Sequence, residues 1–142
     1  MVPLIVAAHL LCSALPGGYV HNRKILVVDD DESIRLMVSR VLERENYNVV
    51  SASDGFEAIE KIARDDYDAI LLDLMMPGLD GIGVLNYLEE HRPELGDSVI
   101  IMSANLPAAT DARRTRRVGR VLPKPFDLRD LIAQIRGSDI AL

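Results

Sequence analysis

Cysteine occurs once in the 142 residues, as Cys12, so no internal disulfide and no thiolate metal site can form. A reducing, cytoplasmic setting is therefore expected. Tryptophan is absent and phenylalanine occurs twice, which leaves no stacking platform for bases. Basic residues are outnumbered, 16 Lys and Arg against 22 Asp and Glu, for a net charge of −6. Nucleic acid is not expected as a partner, because phosphate contacts demand basic surface. No apolar run reaches the ~20 residues of a membrane span. What remains is 49% hydrophobic and 27% charged, ordinary for a soluble globular protein, with room for one domain and a full core.

Residues 1–22 stand apart, with no Asp, Glu, Lys or Arg. Val2–Leu15 is apolar apart from His9 and Ser13, and Pro16-Gly17-Gly18 breaks it. A secretory signal would carry a positive start and a small-residue cleavage site, and neither is present. The segment reads either as an extension outside the domain or as a targeting or membrane-contacting piece. The domain itself is expected over residues 23–137, with 138–142 a short tail.

From Arg23 the pattern is regular. Lys24–Val28 is a β-branched apolar run ending in Asp29-Asp30-Asp31-Glu32. Ile34, Met37, Val38, Val41 and Leu42 then follow at helical spacing, with Arg35, Arg40, Glu43 and Arg44 on the other side. Tyr47–Ala52 reads as a second strand, and Asp54 with Glu57 opens a second helix in the manner of a capping box. Asp68–Leu72 is a third strand carrying Asp73, stopped by Pro77-Gly78, and Gly81–His91 is helical. Pro93–Asp97 reads as a loop and Ser98–Met102 as a fourth strand ending on Ser103. Pro107 suits the first position of a helix over 108–117. Arg120–Leu122 is a fifth, short strand before Pro123-Lys124-Pro125. Asp127 caps a last helix with the stripe Leu128, Leu131, Ile132 and Ile135, and Gly137 is expected to end it.

Five strands alternating with five helices imply an α/β fold with one parallel sheet and helices on both faces. All strands then point the same way, and their carboxyl ends, where open sheets bind ligands, share one edge. That edge collects Asp29, Asp30, Asp73, Ser103 and Lys124. Carboxylates crowded together repel unless a cation is present. The donors are all oxygen, which selects a hard ion such as Mg²⁺. A carboxylate with a metal, an ammonium and a hydroxyl around it suits phosphoryl transfer, which needs positioning and charge neutralisation.

The stretches Ile25–Glu32, Leu71–Gly81, Met102-Ser103-Ala104 and Pro123-Lys124-Pro125-Phe126 closely resemble the receiver domain of two-component response regulators. The resemblance spans roughly Lys24 to Arg136 and implies a flavodoxin-like (βα)5 three-layer sandwich with strand order 2-1-3-4-5. It implies that Asp73 is the phosphoacceptor, supplied by a histidine kinase or histidine phosphotransfer protein. Asp30, Asp73 and the backbone carbonyl of Met75 would bind Mg²⁺ directly, and Asp29 through a water. Ser103 would hydrogen-bond the phosphoryl oxygens and Lys124 would pair with the phosphate, its bond to Pro125 being cis. The family often has an aromatic residue where Val121 stands, so the usual aromatic switch is not expected here.

Arg113, Arg114, Arg116, Arg117 and Arg120 crowd into eight residues. In the family the face of the fourth helix, fifth strand and fifth helix contacts partners or forms homodimers, and the cluster would lie on or beside it. An acidic docking partner and a solvated helix face both fit it. The expected activity is that of a switch which catalyses only its own phosphoryl transfer and dephosphorylation. Few residues follow the last helix, so no output domain is expected in this chain. A phosphate-independent interaction module is the alternative. A phosphatase of the aspartyl-phosphate type would want an acid at Met75, and a dinucleotide enzyme a glycine-rich turn at Asp29–Asp31.

Overall fold

The computed structural model describes residues 23–115 and 119–140. In chain order they form β1 (Lys24–Val28), α1 (Glu32–Arg44), β2 (Asn48–Ala52), α2 (Gly55–Arg64), β3 (Ala69–Asp73), α3 (Gly81–His91), a 3-10 helix (Pro93–Ser98), β4 (Val99–Ser103), α4 (Leu106–Thr115), β5 (Arg120–Pro123) and α5 (Leu128–Ile140). The strands make one parallel sheet in the order β2-β1-β3-β4-β5. This is the flavodoxin-like arrangement.

Alternation along each strand divides the core into two layers. Leu26, Val28, Ile70, Leu72, Val99 and Ile101 face Ala58 and Ile62 of α2, Val84, Leu85 and Leu88 of α3, and Ala109 and Ala112 of α4. Ile25, Val27, Leu71, Ile100, Met102 and Leu122 face Val38 and Leu42 of α1 and Leu131 and Ile135 of α5. Both β3 and β4 are buried along their whole length, as expected of strands covered on both sides.

The elements differ from the sequence reading in instructive places. Pro93–Ser98 is a 3-10 helix rather than a loop, and its Leu95 is buried. The fourth helix starts at Leu106, so Pro107 is its second residue; Asn105 caps it, accepting from Ala108 N at 3.1 Å. The capping box of α2 is displaced by one residue. Asp54 accepts from Glu57 N, but Glu57 reaches back to the backbone N–H of Ser53, and that bond is the main reason its carboxyl falls to about 2. Met37 and Leu128, expected in the core, are exposed. Gly137 does not end α5, which continues to Ile140, so the tail expected from residue 138 starts inside the helix. A β-carbon at Gly137 would stand 2.8 Å from Nη1 of Arg120: the glycine makes room for the arginine instead of stopping the helix.

Tyr67, just before β3, is 4% exposed and its hydroxyl has no hydrogen-bond partner among the described residues. Burial, with Asp65 adding to it, pushes its phenol up. An unsatisfied buried hydroxyl is unfavourable. Tyr67→Phe is therefore expected to stabilise the chain by about 1 kcal/mol in urea unfolding. A loss of stability would mean that the hydroxyl finds a partner, such as a water, in solution.

A polar site at the carboxyl edge of the sheet

Register sets the site. Val28 pairs with Leu72 and Asp73 with Met102, so Asp29, following β1, comes level with Asp73 at the end of β3. Parallel strands make these sequence-distant acids neighbours. One carboxylate oxygen from each of Asp29, Asp30 and Asp73 lies within 4.8 Å of the other two. Asp29 and Asp73 are buried at 0% and 4% exposure, and Asp30 is exposed.

Each buried carboxylate is held from two sides. Asp29 accepts from Asp31 N at 2.9 Å through one oxygen and from the Lys124 ammonium at 2.8 Å through the other. Asp73 accepts from Met75 N at 3.1 Å, and its second oxygen is 3.5 Å from the same ammonium. Burial, reinforced by the charge of Asp29, pushes the Asp73 carboxyl up to about 6 against the opposing pull of Met75 N–H and Lys124. Burial would lower the Lys124 ammonium, but its bonds and proximity to Asp29 and Asp73 leave it raised. The three groups are one electrostatic unit.

Lys124 stands where β5 ends, its backbone N–H bonded to the carbonyl of Ser103 at 2.9 Å. The Lys124–Pro125 peptide bond is cis. Ser103 is buried, and its hydroxyl accepts from Asn105 N at 3.0 Å and donates to Asn105 O at 3.3 Å. The hydroxyl is thus engaged in the turn before α4. Val121 is half-buried against the α2–α3–α4 layer of the core. The Met75 side chain is 63% exposed. Gly81 allows α3 to start hard against the site, since a β-carbon there would stand 2.6 Å from Leu74 Cα.

The arginine cluster divides. Arg113 and Arg114 are exposed in the last turn of α4. Arg120 turns away, donating to the carbonyl of Gln134 on α5. Arg116 and Arg117 lie outside the described residues, as do residues 1–22.

Arg35, which helical spacing places on the solvent side of α1, donates through Nη1 to the backbone carbonyl of Asp29 at 2.8 Å. A cation in the opening residues of a helix opposes the macrodipole. That unfavourable position, six residues after Asp29, is the sequence signal that a local partner holds it. Asp31 likewise belongs to the helix rather than the site, capping α1 through Ser33 N and Ile34 N.

A doubly wound parallel sheet with three acids and a lysine at its carboxyl edge defines an open α/β domain whose polar site lies at the strand ends. Residues 25–136 match the response regulator receiver domain family. The chain is 42% identical over 120 residues to the response regulator MprA of Mycobacterium leprae, which covers 80% of this chain and 49% of that protein. Among solved structures, the receiver domain of the Francisella response regulator 1452 superposes with a TM-score of 0.75 at 33% identity, covering 82% of this chain and 96% of that one. TrrA of Thermotoga maritima, in complex with Mg(2+)-BeF, superposes with a TM-score of 0.72 at 27% identity, covering 82% and 98%. The chain belongs to the response regulator receiver family, whose members are signalling switches. It spans about half the length of the curated relatives it matches. Among the described residues, no helix is long and apolar enough to cross a membrane.

Proposed function

We propose that Asp73 accepts a phosphoryl group from a histidine kinase or a histidine phosphotransfer protein, and that the aspartyl phosphate switches the binding of a downstream partner. The observation that carries this reading is the convergence of Asp29, Asp30, Asp73 and Lys124 on one edge. An acyl phosphate forms as a carboxylate oxygen of Asp73 bonds to phosphorus while the donor's P–N bond breaks, its electron pair returning to the imidazole. Above its raised value of about 6 the Asp73 carboxyl is ionised and ready to attack.

The oxygen-only donor set, three carboxylates with one oxygen each within 4.8 Å of the others, fits Mg²⁺. Asp30, Asp73 and the Met75 carbonyl would hold it directly and Asp29 through a water, and TrrA with its Mg(2+)-BeF supports this within the family. When bound, the ion supplies charge neutralisation for the phosphoryl oxygens. Lys124 would turn from Asp29 toward the phosphate, and Ser103 would exchange its bond to Asn105 O for one to a phosphoryl oxygen. Val121 brings no ring to follow that movement.

A protein donor and partner are supported by the distribution of exposed apolar residues. Among the described residues the large ones are Leu36, Met37, Phe56, Met75, Leu106 and Leu128, all in the first two turns of a helix or in the loop entering one at the carboxyl edge. Arg113 and Arg114, in the last turn of α4 and so away from that edge, offer a separate basic surface for an acidic partner. We place this exchange in the reducing cytoplasm, on the strength of the single cysteine.

Incubation with Mg²⁺ and acetyl phosphate is expected to add one phosphoryl group to the wild-type chain by mass spectrometry, and none to Asp73→Asn. Equal uptake by both would move the acceptor elsewhere. No uptake by the wild type, with a phosphohistidine donor also tried, would end this reading.

A further inference from the structure

The peptide between Asp29 and Asp30 is held in an unusual way. Its carbonyl, that of Asp29, accepts from Nη1 of Arg35 at 2.8 Å. Asp29 is fixed besides by its N–H, which donates to Ala52 O at 3.2 Å, and by Lys124 on its carboxylate; the peptide after Asp30 is held by Asp31 N, which donates to the other Asp29 carboxylate oxygen at 2.9 Å. Asp30 has no such anchors. Its carboxylate makes no hydrogen bond or ion pair with any described residue, and it is exposed. Where that carboxylate stands therefore follows from the two peptides that flank it, and Arg35 is the side chain that grips the first of them.

We infer that Arg35 is a positioning residue for the divalent cation. Resting on the reading of this edge as a Mg²⁺ site, the inference assigns Arg35 the task of aiming Asp30 toward Asp73 and Asp29. The guanidinium suits the task because it is planar, permanently charged and weakly hydrated, so it remains bonded to a carbonyl beside an acidic cluster. α1 carries it in its fourth residue, half-buried, with Asp31 capping the helix and so tying the base of Arg35 to the same acidic turn. A cation in the opening turn of a helix is electrostatically disfavoured, and the bond to Asp29 offsets that cost.

Two effects of Arg35 on the metal have opposite signs, which makes the inference testable. As a positive charge near the site it opposes a divalent ion. As a clamp on the peptide it favours one, because groups that orient metal ligands typically contribute a 10–100-fold gain in affinity. The clamp is expected to be the larger effect.

The test is Mg²⁺ titration by calorimetry of the full chain as wild type, Arg35→Ala, Arg35→Lys and Arg40→Ala, with thermal melts in EDTA alongside. Arg35→Ala is expected to raise the Mg²⁺ Kd about tenfold or more, and Arg35→Lys, which keeps a donor, by less. Arg40→Ala, exposed on the same helix, is expected to leave it unchanged. A purely structural arginine would lower the melting temperature in EDTA without moving the Kd, and that overturns the inference. A tighter Kd in Arg35→Ala also overturns it, since charge would then dominate. If the alanine variant does not fold, an unchanged Kd in Arg35→Lys overturns it. Failure of the wild type to bind Mg²⁺ would instead remove the reading of the site on which the inference rests.

Discussion

Lys124→Met is expected to destabilise the chain at pH 7, without added divalent ion, by about 3–5 kcal/mol in denaturant unfolding. The reason is the number of charges that share one ammonium. Asp29 is fully buried and 2.8 Å from Nζ, and Asp73, nearly as buried, is 3.5 Å away. Removing a partner from a buried ionic cluster leaves its charges uncompensated, a far larger penalty than the loss of a surface ion pair. The Lys124 ammonium is raised by these two acids against its burial, so its stabilising contribution is fully present below the ordinary lysine value and is lost only as pH rises through the raised one. Lys124→Met combined with Asp29→Asn is expected to recover much of the loss, because the sites touch and their effects do not add. A loss under about 1 kcal/mol for Lys124→Met would put this pair in the class of solvated surface bridges, contradicting the buried geometry.

Asp73→Asn is expected to act in the opposite direction, stabilising the metal-free chain by about 1–3 kcal/mol above pH 7. Burial first, then the neighbouring Asp29, lifts the Asp73 carboxyl from the ordinary 3.8 to about 6. Between those values the folded chain binds more protons than the unfolded one, so this group makes stability fall as pH rises across the window. Above it the penalty is complete, and asparagine removes it. Urea titrations at several pH values check this: the advantage of the variant should grow from pH 4 to pH 7 and then level off. An Asp73→Asn variant less stable than the wild type at pH 7, or an advantage independent of pH, would mean that Lys124 and the Met75 N–H over-satisfy the carboxylate. With the geometry described, the site instead stores electrostatic strain that a cation or phosphate can relieve.

The edge was legible because parallel topology makes strand ends converge whatever lies between them. Asp29, Asp73, Ser103 and Lys124 each follow or end an apolar run, and the register of β1, β3, β4 and β5 brings those ends together. What escaped was set by tertiary competition. The hydrophobic spacing of α1 makes Met37 look like core, but Val38 and Leu42 face the sheet and Met37 is left outside. Gly137 carries the signature of a helix end, yet it lies beside the Arg120 guanidinium and the helix continues past it. Arg35 looks like one more solvated charge until the carbonyl of Asp29 is seen beneath it. The hydroxyl of Ser103 is at the right strand end, but its present partner, Asn105, is a local turn that spacing does not reveal. In each case the residue type was readable and its partner was not, because partners are chosen in three dimensions.

Thermal unfolding at pH 7 with and without Mg²⁺ tests most directly whether crowded acids at this edge await a divalent ion. The wild type is expected to melt higher with Mg²⁺, the stabilisation growing with concentration to about 2.7 kcal/mol at a hundred times the Kd. Asp30→Ala and Asp73→Asn are expected to lose most of that rise. A wild-type melting temperature indifferent to Mg²⁺, or a rise equally large in both variants, would contradict it.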